Sequence, residues 1–422
     1  MPLARPLHEK FPPLSDAHRR GFGSLVFLLE GKLDDLRALL APALPASRSD
    51  RRTAQEAPVQ DGCAGLAAAP AVFPCKGCFT DFNLCTMPSL FAFLRWLLLT
   101  WLLLAAPSLV FAWGAWSHQR INRAAVLALP PALRTFFYNH ADYITEEAVM
   151  PDVRKHAFHD KDEAARHFIN LEAYNLPISQ LPQTAADART RFDAATLVQN
   201  GTLPWSIQEG LAHLTQAMKS GRKDEILFWA ANLGHYFGDA QMPLHTSLNH
   251  DGQLTGQAGI HAFFEGQLPE RFGSAYDFNV GEAAYLPDPV AETWRLLAAS
   301  HASADTLLAV ERQLQAAVPL ADRYEQDARG AVRKNQFGDE FHAPAYAARY
   351  HQALGRLVER RLRAAVRSTA DFWYTAWVNA GQPDLNRLDS DYTTHSIQRN
   401  LKYELGLLKR GRLVDLKTNP EF

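Results

Sequence analysis

Residues 226–240 read ILFWAANLGHYFGDA. Ile226, Leu227, Phe228, Trp229, Ala230, Leu233, Tyr236 and Phe237 spread apolar groups around most of the circumference of a helix, and a helix apolar all round is buried. His235 and Asp239 stand four apart on one face of it, so both are expected in the interior. A carboxylate buried without a partner is very costly, and something must compensate Asp239. A metal ion would do so; a buried, hydrogen-bonded Asp–His pair is the alternative. The next stretch, QMPLHTSLNHDGQLTGQAGIHAFFEG (241–266), adds His245 and a second four-spaced pair, His261 and Glu265. Imidazole and carboxylate donors of this kind suit a borderline-soft divalent ion such as zinc. A lone His-x-x-x-Asp arises easily by chance. Two such pairs with a histidine between them, in an apolar setting, point to a metal centre.

Helical periodicity continues outward from this segment. Ser206–Met218 carries Ile207, Leu211, Leu214 and Met218 at three-four spacing, and the capping box Ser206-x-x-Glu209 predicts its start. Tyr350, Leu354, Leu357, Val358, Leu362 and Ala365 form another stripe that runs on to Phe372 and Trp377, with Gly381 and Pro383 ending it. Further helices are predicted over 118–129, 223–240, 260–268 and 289–315. No block of period-two alternation with hairpin turns competes with them. The fold class is therefore all-α, with many helices. Beyond Leu385 the chain becomes polar and basic, and 386–422 reads as a tail that either adds a peripheral helix or is loosely ordered, with a solvated charged face as the default.

With 422 residues, 47% of them apolar, the chain has room for a substantial core. A formal charge of -2 gives no footprint for a dedicated duplex-DNA clamp or an anionic membrane. It does not exclude a nuclease whose metals bind phosphate.

The first 112 residues differ from the rest. MPSLFAFLRWLLLTWLLLAAPSLVFAW (87–113) has Arg95 ahead of an apolar block and Val110-Phe111-Ala112 at its end, which reads as a signal peptide at 87–112 cleaved before Trp113. Pro107 interrupts the block, which suits a cleaved leader better than a membrane span. The preceding stretch is rich in Ala, Pro and Arg and holds all four cysteines, Cys63, Cys75, Cys78 and Cys85. Cys75-x-x-Cys78 has no second CxxC and no βαβ pattern beside it, so a zinc or redox reading lacks support. Met87 is expected to be the initiator, with 1–86 a spurious or disordered extension. The domain from 113 to 385 would then be exported without cysteine, to a secreted or periplasmic location.

His235-Tyr-Phe-Gly-Asp239-Ala-Gln-Met-Pro-Leu-His245 resembles the HxxGDxxxPxH signature of the superfamily that contains zinc-dependent phospholipases C and S1/P1 nucleases. Three further matches accompany it. Members use a mature N-terminal Trp as a zinc ligand, and the cleavage site exposes Trp113, with His118 following in WGAWSH. Asp152 in AVMPDVRK and His167 in ARHFIN match the Asp and His of the nuclease branch. His261-x-x-x-Glu265 matches the last pair, with Glu as in the phospholipase branch.

The resemblance implies three zinc ions. Asp152, His167, His235 and Asp239 would hold the first, and His245, His261 and Glu265 the second. The amine and carbonyl of Trp113, with His118 and a bridging Asp239, would hold the third. The implied chemistry is hydrolysis of a phosphoric ester by zinc-bound hydroxide, with Asp152 a ligand that could also orient or deprotonate the nucleophile. His156, His159 and His250 are expected to be surface or supporting histidines. The implied substrate is a phospholipid, or single-stranded nucleic acid if the nuclease branch applies, with no obligate protein partner evident. Phe168 stands where the nucleases stack a base, and plain core packing explains it equally. Asn170 replaces an acidic residue of that branch, while the short His245–His261 interval and Glu265 look more like the phospholipases. A membrane-anchored helical protein with structural metal and no catalysis is the reading from another class.

Overall fold

The structure is a computed structural model that describes residues 114–335, 338–389, 394–416 and 418. Trp113, the four cysteines and the leader lie outside the described residues. Among those described, regular structure is helical throughout, apart from three isolated antiparallel bridges, Tyr324–His342, Gln326–Val332 and Lys334–Glu340. No helix among them is long and apolar enough to cross a membrane.

Eight helices form the core or position the site: α1 (Ala115–Ala128), α2 (Met150–Ala157), α3 (Lys161–Ala165), α4 (Leu203–Lys219), α5 (Lys223–Gln241), α6 (Pro289–His301), α7 (Leu357–Asn379) and α8 (His395–Lys409). α5 is the central one. Asp224 and Glu225 favour its start through the helix dipole. Its residues from Ala230 to Gln241 are all buried, because α1, α4 and α7 cover it from different sides. Only Phe228 and Trp229 of its apolar set stay half-exposed. α7 contributes the fully buried Phe372 and Trp373, and the Trp373 indole N–H donates to the Ala230 carbonyl at 3.1 Å. Side chains of that size stabilise by about 1.5–3 kcal/mol each when fully buried.

α1 and α5 approach closely because α5 presents glycine to α1. A Cβ on Gly234 would lie 1.7 Å from Asn122 Oδ1, and one on Gly238 would lie 2.8 Å from the His118 ring. Asn122 fills the space above Gly234 and joins three elements, donating from Nδ2 to the carbonyls of Ile144 (3.0 Å) and Ala231 (3.1 Å).

Several boundaries differ from the sequence reading. α4 begins at Leu203, one turn before the predicted capping box, because Pro204 fits a first turn where its missing N–H costs nothing. Ser206 is inside the helix, and its hydroxyl meets that of Thr202 at 3.1 Å. The predicted 289–315 helix is two, α6 and Ala304–Ala317. Ser303 sits at the break, where its hydroxyl donates to the Ala299 carbonyl and competes with helix propagation. The stripe beginning at Tyr350 likewise spans two helices, Pro344–Ala353 and α7, with Gly355 at φ +60° between them.

The tail is not simply a solvated face. Within α8, Glu404 is buried, accepting from the Tyr138 hydroxyl at 2.5 Å and pairing with Arg123 at 3.2 Å. Leu413 and Leu416 are buried too, and the Leu413 carbonyl accepts from Phe278 N at 2.8 Å.

Gly234→Ala is expected to destabilise the fold by about 1–3 kcal/mol through overpacking against Asn122. Urea denaturation measures this; an unchanged midpoint would show that the α1–α5 contact has slack.

Candidate metal centre

Eight of the nine predicted ligands are described, and they arrive from every side of α5. α1 brings His118, α2 brings Asp152, and His167 follows α3. α5 itself carries His235 and Asp239. His245 comes from the 3-10 turn Pro243–Thr246, where Pro243 ends α5 and reverses the chain. His261 and Glu265 span a junction between Ile260–Ala262 and a π-helical turn, Phe263–Gln267. Wide turns of that type are rare and concentrate at functional sites.

Asp239 is the hub. It is 0% exposed, and four imidazole nitrogens surround its two oxygens. Oδ2 faces His167 Nδ1 at 3.0 Å and His235 Nε2 at 3.2 Å. Oδ1 faces His245 Nδ1 at 3.3 Å and His118 Nε2 at 3.7 Å. His167 Nδ1 also lies 3.5 Å from Asp152 Oδ1 and 3.1 Å from His235 Nε2. On the far side, His245 Nε2 is 3.2 Å from His261 Nε2 and 3.5 Å from Glu265 Oε2. His261 Nε2 reaches Glu265 Oε1 at 3.1 Å.

Three groups of donor atoms are close enough to chelate an ion: His118, His235 and Asp239; Asp152, His167 and His235; and His245, His261 and Glu265. The expected partition shifts slightly. His118 is grouped with His235 as well as Asp239, their rings stacked at 3.8 Å and 13°. Asp239 still reaches the Asp152 group through Oδ2, so it faces both neighbouring groups, one oxygen to each.

The donors fit a metal better than a network of hydrogen bonds. Both oxygens of Asp152, both oxygens of Asp239, both nitrogens of His118, His245 Nδ1 and Glu265 Oε2 are buried without a well-directed hydrogen bond. Natural interiors leave few such groups, and here they converge on shared points. Two of the outward nitrogens are satisfied. His235 Nδ1 lies 2.8 Å from the Ala148 carbonyl and His261 Nδ1 lies 2.7 Å from the His250 carbonyl. Donation there leaves each Nε2 lone pair free for a cation. The all-N/O donor set, rich in histidine, suits zinc.

Electrostatics agree. Burial alone would lower the His245 pKa, but Asp239 and Glu265 overcome it and hold it up at about 10. Burial likewise opposes ionisation of Asp239, yet His235 and His245 keep it well below the usual carboxylate range. His118, which burial and His235 both disfavour as a cation, stays neutral.

A cleft of about 700 Å³ opens over this cluster, with His167, His245, His261 and Glu265 on its floor. Asp152 is fully buried and is not among the residues that line the cleft. Phe168 is half-buried and lines the cleft beside His167. Its main chain is held by Gly201, where a Cβ would meet the Phe168 carbonyl oxygen at 2.0 Å. Asn170 also lines the cleft at 9% exposure. Among the rival histidines, His156 and His159 are exposed, and His250 serves through its backbone carbonyl.

Sequence reasoning missed three supporting residues. Asp251 accepts from the backbone N–H groups of Gly259 and His261, closing the loop that presents His261. Gln267 ties the π turn to the 324–342 segment, donating to the Glu340 carbonyl and accepting from His342 N, each at 2.9 Å. Glu163 lies 3.7 Å from His167 Nε2. Only Glu163 left a local trace, a four-residue spacing to His167.

No protein-family model matches the chain, and no curated protein matches its sequence.

A metal must displace the proton that His245 carries at neutral pH, so zinc affinity should rise with pH toward about 10. Calorimetry in buffers of different ionisation enthalpy is expected to show net proton release. Zinc uptake with neither proton release nor pH dependence would contradict this.

Proposed function

We propose that this chain is an exported, zinc-dependent hydrolase of phosphoric esters with a phospholipase C-like substrate. One observation carries the reading: three His/Asp/Glu groups are joined through Asp239 and His235, and His167, His245, His261 and Glu265 of two of them line a cleft large enough for a small substrate. Asp152, His167, His235 and Asp239, His118 with Asp239, and His245, His261 and Glu265 would hold the ions. Zinc bound there supplies Lewis acidity toward a phosphoryl oxygen and an acidified water.

The chain's own groups around the cleft support the substrate class. Lys155 is the one lysine or arginine among its described lining residues, with Nζ 3.7 Å from Asp152 Oδ1. Asp251, Glu270 and Asp339 line it as well. A wall with more carboxylates than cations suits a zwitterionic head group, whose cation they attract, better than a polyanionic strand. The nuclease alternative rests on Phe168, an aromatic face in the cleft. Asn170 beside it, where that branch has an acidic residue, speaks against that alternative. A purely structural role for the metal is disfavoured, because structural zinc sites are closed and this one opens to the cleft.

Zinc-loaded protein beginning at Trp113 should be assayed on phosphatidylcholine, single-stranded DNA and RNA. Release of phosphocholine is expected, with His235→Ala at least ~10²-fold slower, on the scale of losing one group that stabilises transition-state charge. Cleavage of nucleic acid alone would move the chain to the nuclease reading. An inert wild type, or an active His235→Ala, would overturn the hydrolase assignment.

A further inference from the structure

Behind the Asp152–His167–His235 group lies a buried polar network centred on Glu163, a residue that the proposed reaction does not use. Glu163 is 3% exposed and sits on α3, one helical turn before His167. Its Oε1 accepts from the Tyr236 hydroxyl at 2.6 Å and faces His167 Nε2 at 3.7 Å. Its Oε2 accepts from Arg154 Nε at 3.0 Å, with Arg166 at 3.9 Å. Arg154 also donates to Asn232 Oδ1, and Asn232 Nδ2 donates to the Phe228 carbonyl at 2.6 Å.

The sequence positions of these partners matter. Arg154 is two residues beyond Asp152, and Tyr236 directly follows His235. Each of the three elements that supply a ligand to this group therefore also supplies a member of the network. The carboxylate that faces the outer nitrogen of His167 is clamped from two other helices, by Arg154 and Tyr236.

We propose that Glu163 is the positioning residue of this one metal group: it holds His167 with Nδ1 turned toward Asp152, His235 and Asp239, and locks α2, α3 and α5 at the spacing the ion requires. This rests on the zinc-site reading above and on no particular substrate. An outer carboxylate on a ligating histidine fixes its ring and raises its basicity, and losing such a partner typically costs 10–100-fold in metal affinity. His245, His261 and Glu265 make no contact with the network among the described interactions, so the effect should spare their group.

The test is competitive zinc titration of the full protein against a chromophoric chelator, with cobalt absorption as a second signature of coordination. Glu163→Gln is expected to weaken one zinc equivalent about 10–100-fold and alter the cobalt bands, leaving the equivalent at His245, His261 and Glu265 unchanged. Tyr236→Phe removes a single anchoring hydrogen bond and is expected to weaken the same equivalent by less, which covers the case in which Glu163→Gln fails to fold. A titration of folded Glu163→Gln identical to wild type would overturn the proposal. Uniform weakening of all equivalents would do so too, since that marks general loosening. Wild-type protein that binds no zinc would overturn the zinc-site reading together with it.

Discussion

One carboxylate ringed by four imidazoles organises this protein. Asp239 has no access to water, and neither of its oxygens has a well-directed hydrogen bond. Desolvating a carboxylate that far is tolerated only against compensating positive charge. Protonated histidines can supply some of it, but rings packed together resist multiple protonation, since each added cation repels the others. A divalent ion between carboxylate and imidazoles removes both difficulties. The orphaned atoms of Asp152, His118, His245 and Glu265 are then parts of the same arrangement.

The rest of the fold serves that interior. Gly234 and Gly238 let α1 approach α5 closely enough to bring the His118 ring beside Asp239. Pro243 stops α5 just beyond the hub, so His245 folds back onto it. The π turn presents Glu265 beside His261, and Gln267 fastens that turn to the 324–342 segment at the cleft wall. These devices are backbone and packing features, whereas the ligands themselves are only side chains placed on them.

The α class was legible in the sequence because three-four apolar spacing is strong in α4, α5 and α7 and nothing of period two competes. Helix breaks were not, since Ser303 and Gly355 interrupt stripes whose apolar spacing runs on across them. Within the site, His235 with Asp239 and His261 with Glu265 could be paired locally, as helical spacing puts each on one face. Asp152 and His167 could be joined to them only through the family resemblance, because no local signal brings α2 and α3 against α5. Gly238 was visible in the motif, but its purpose needed the position of His118. Glu163 was hidden for a similar reason: an acidic residue four before a histidine is common, and its partners Arg154 and Tyr236 lie far from it in sequence or on another helix.

The central claim is that a bound cation holds this buried cluster together. Thermal unfolding before and after exhaustive chelation tests it most directly. An ion present at about 100 times its dissociation constant stabilises by about 2.7 kcal/mol, which for a chain of this size corresponds to roughly 3–4 °C. The account predicts a fall of that order on chelation, reversed by added zinc. A midpoint unchanged by chelation and by zinc would contradict it.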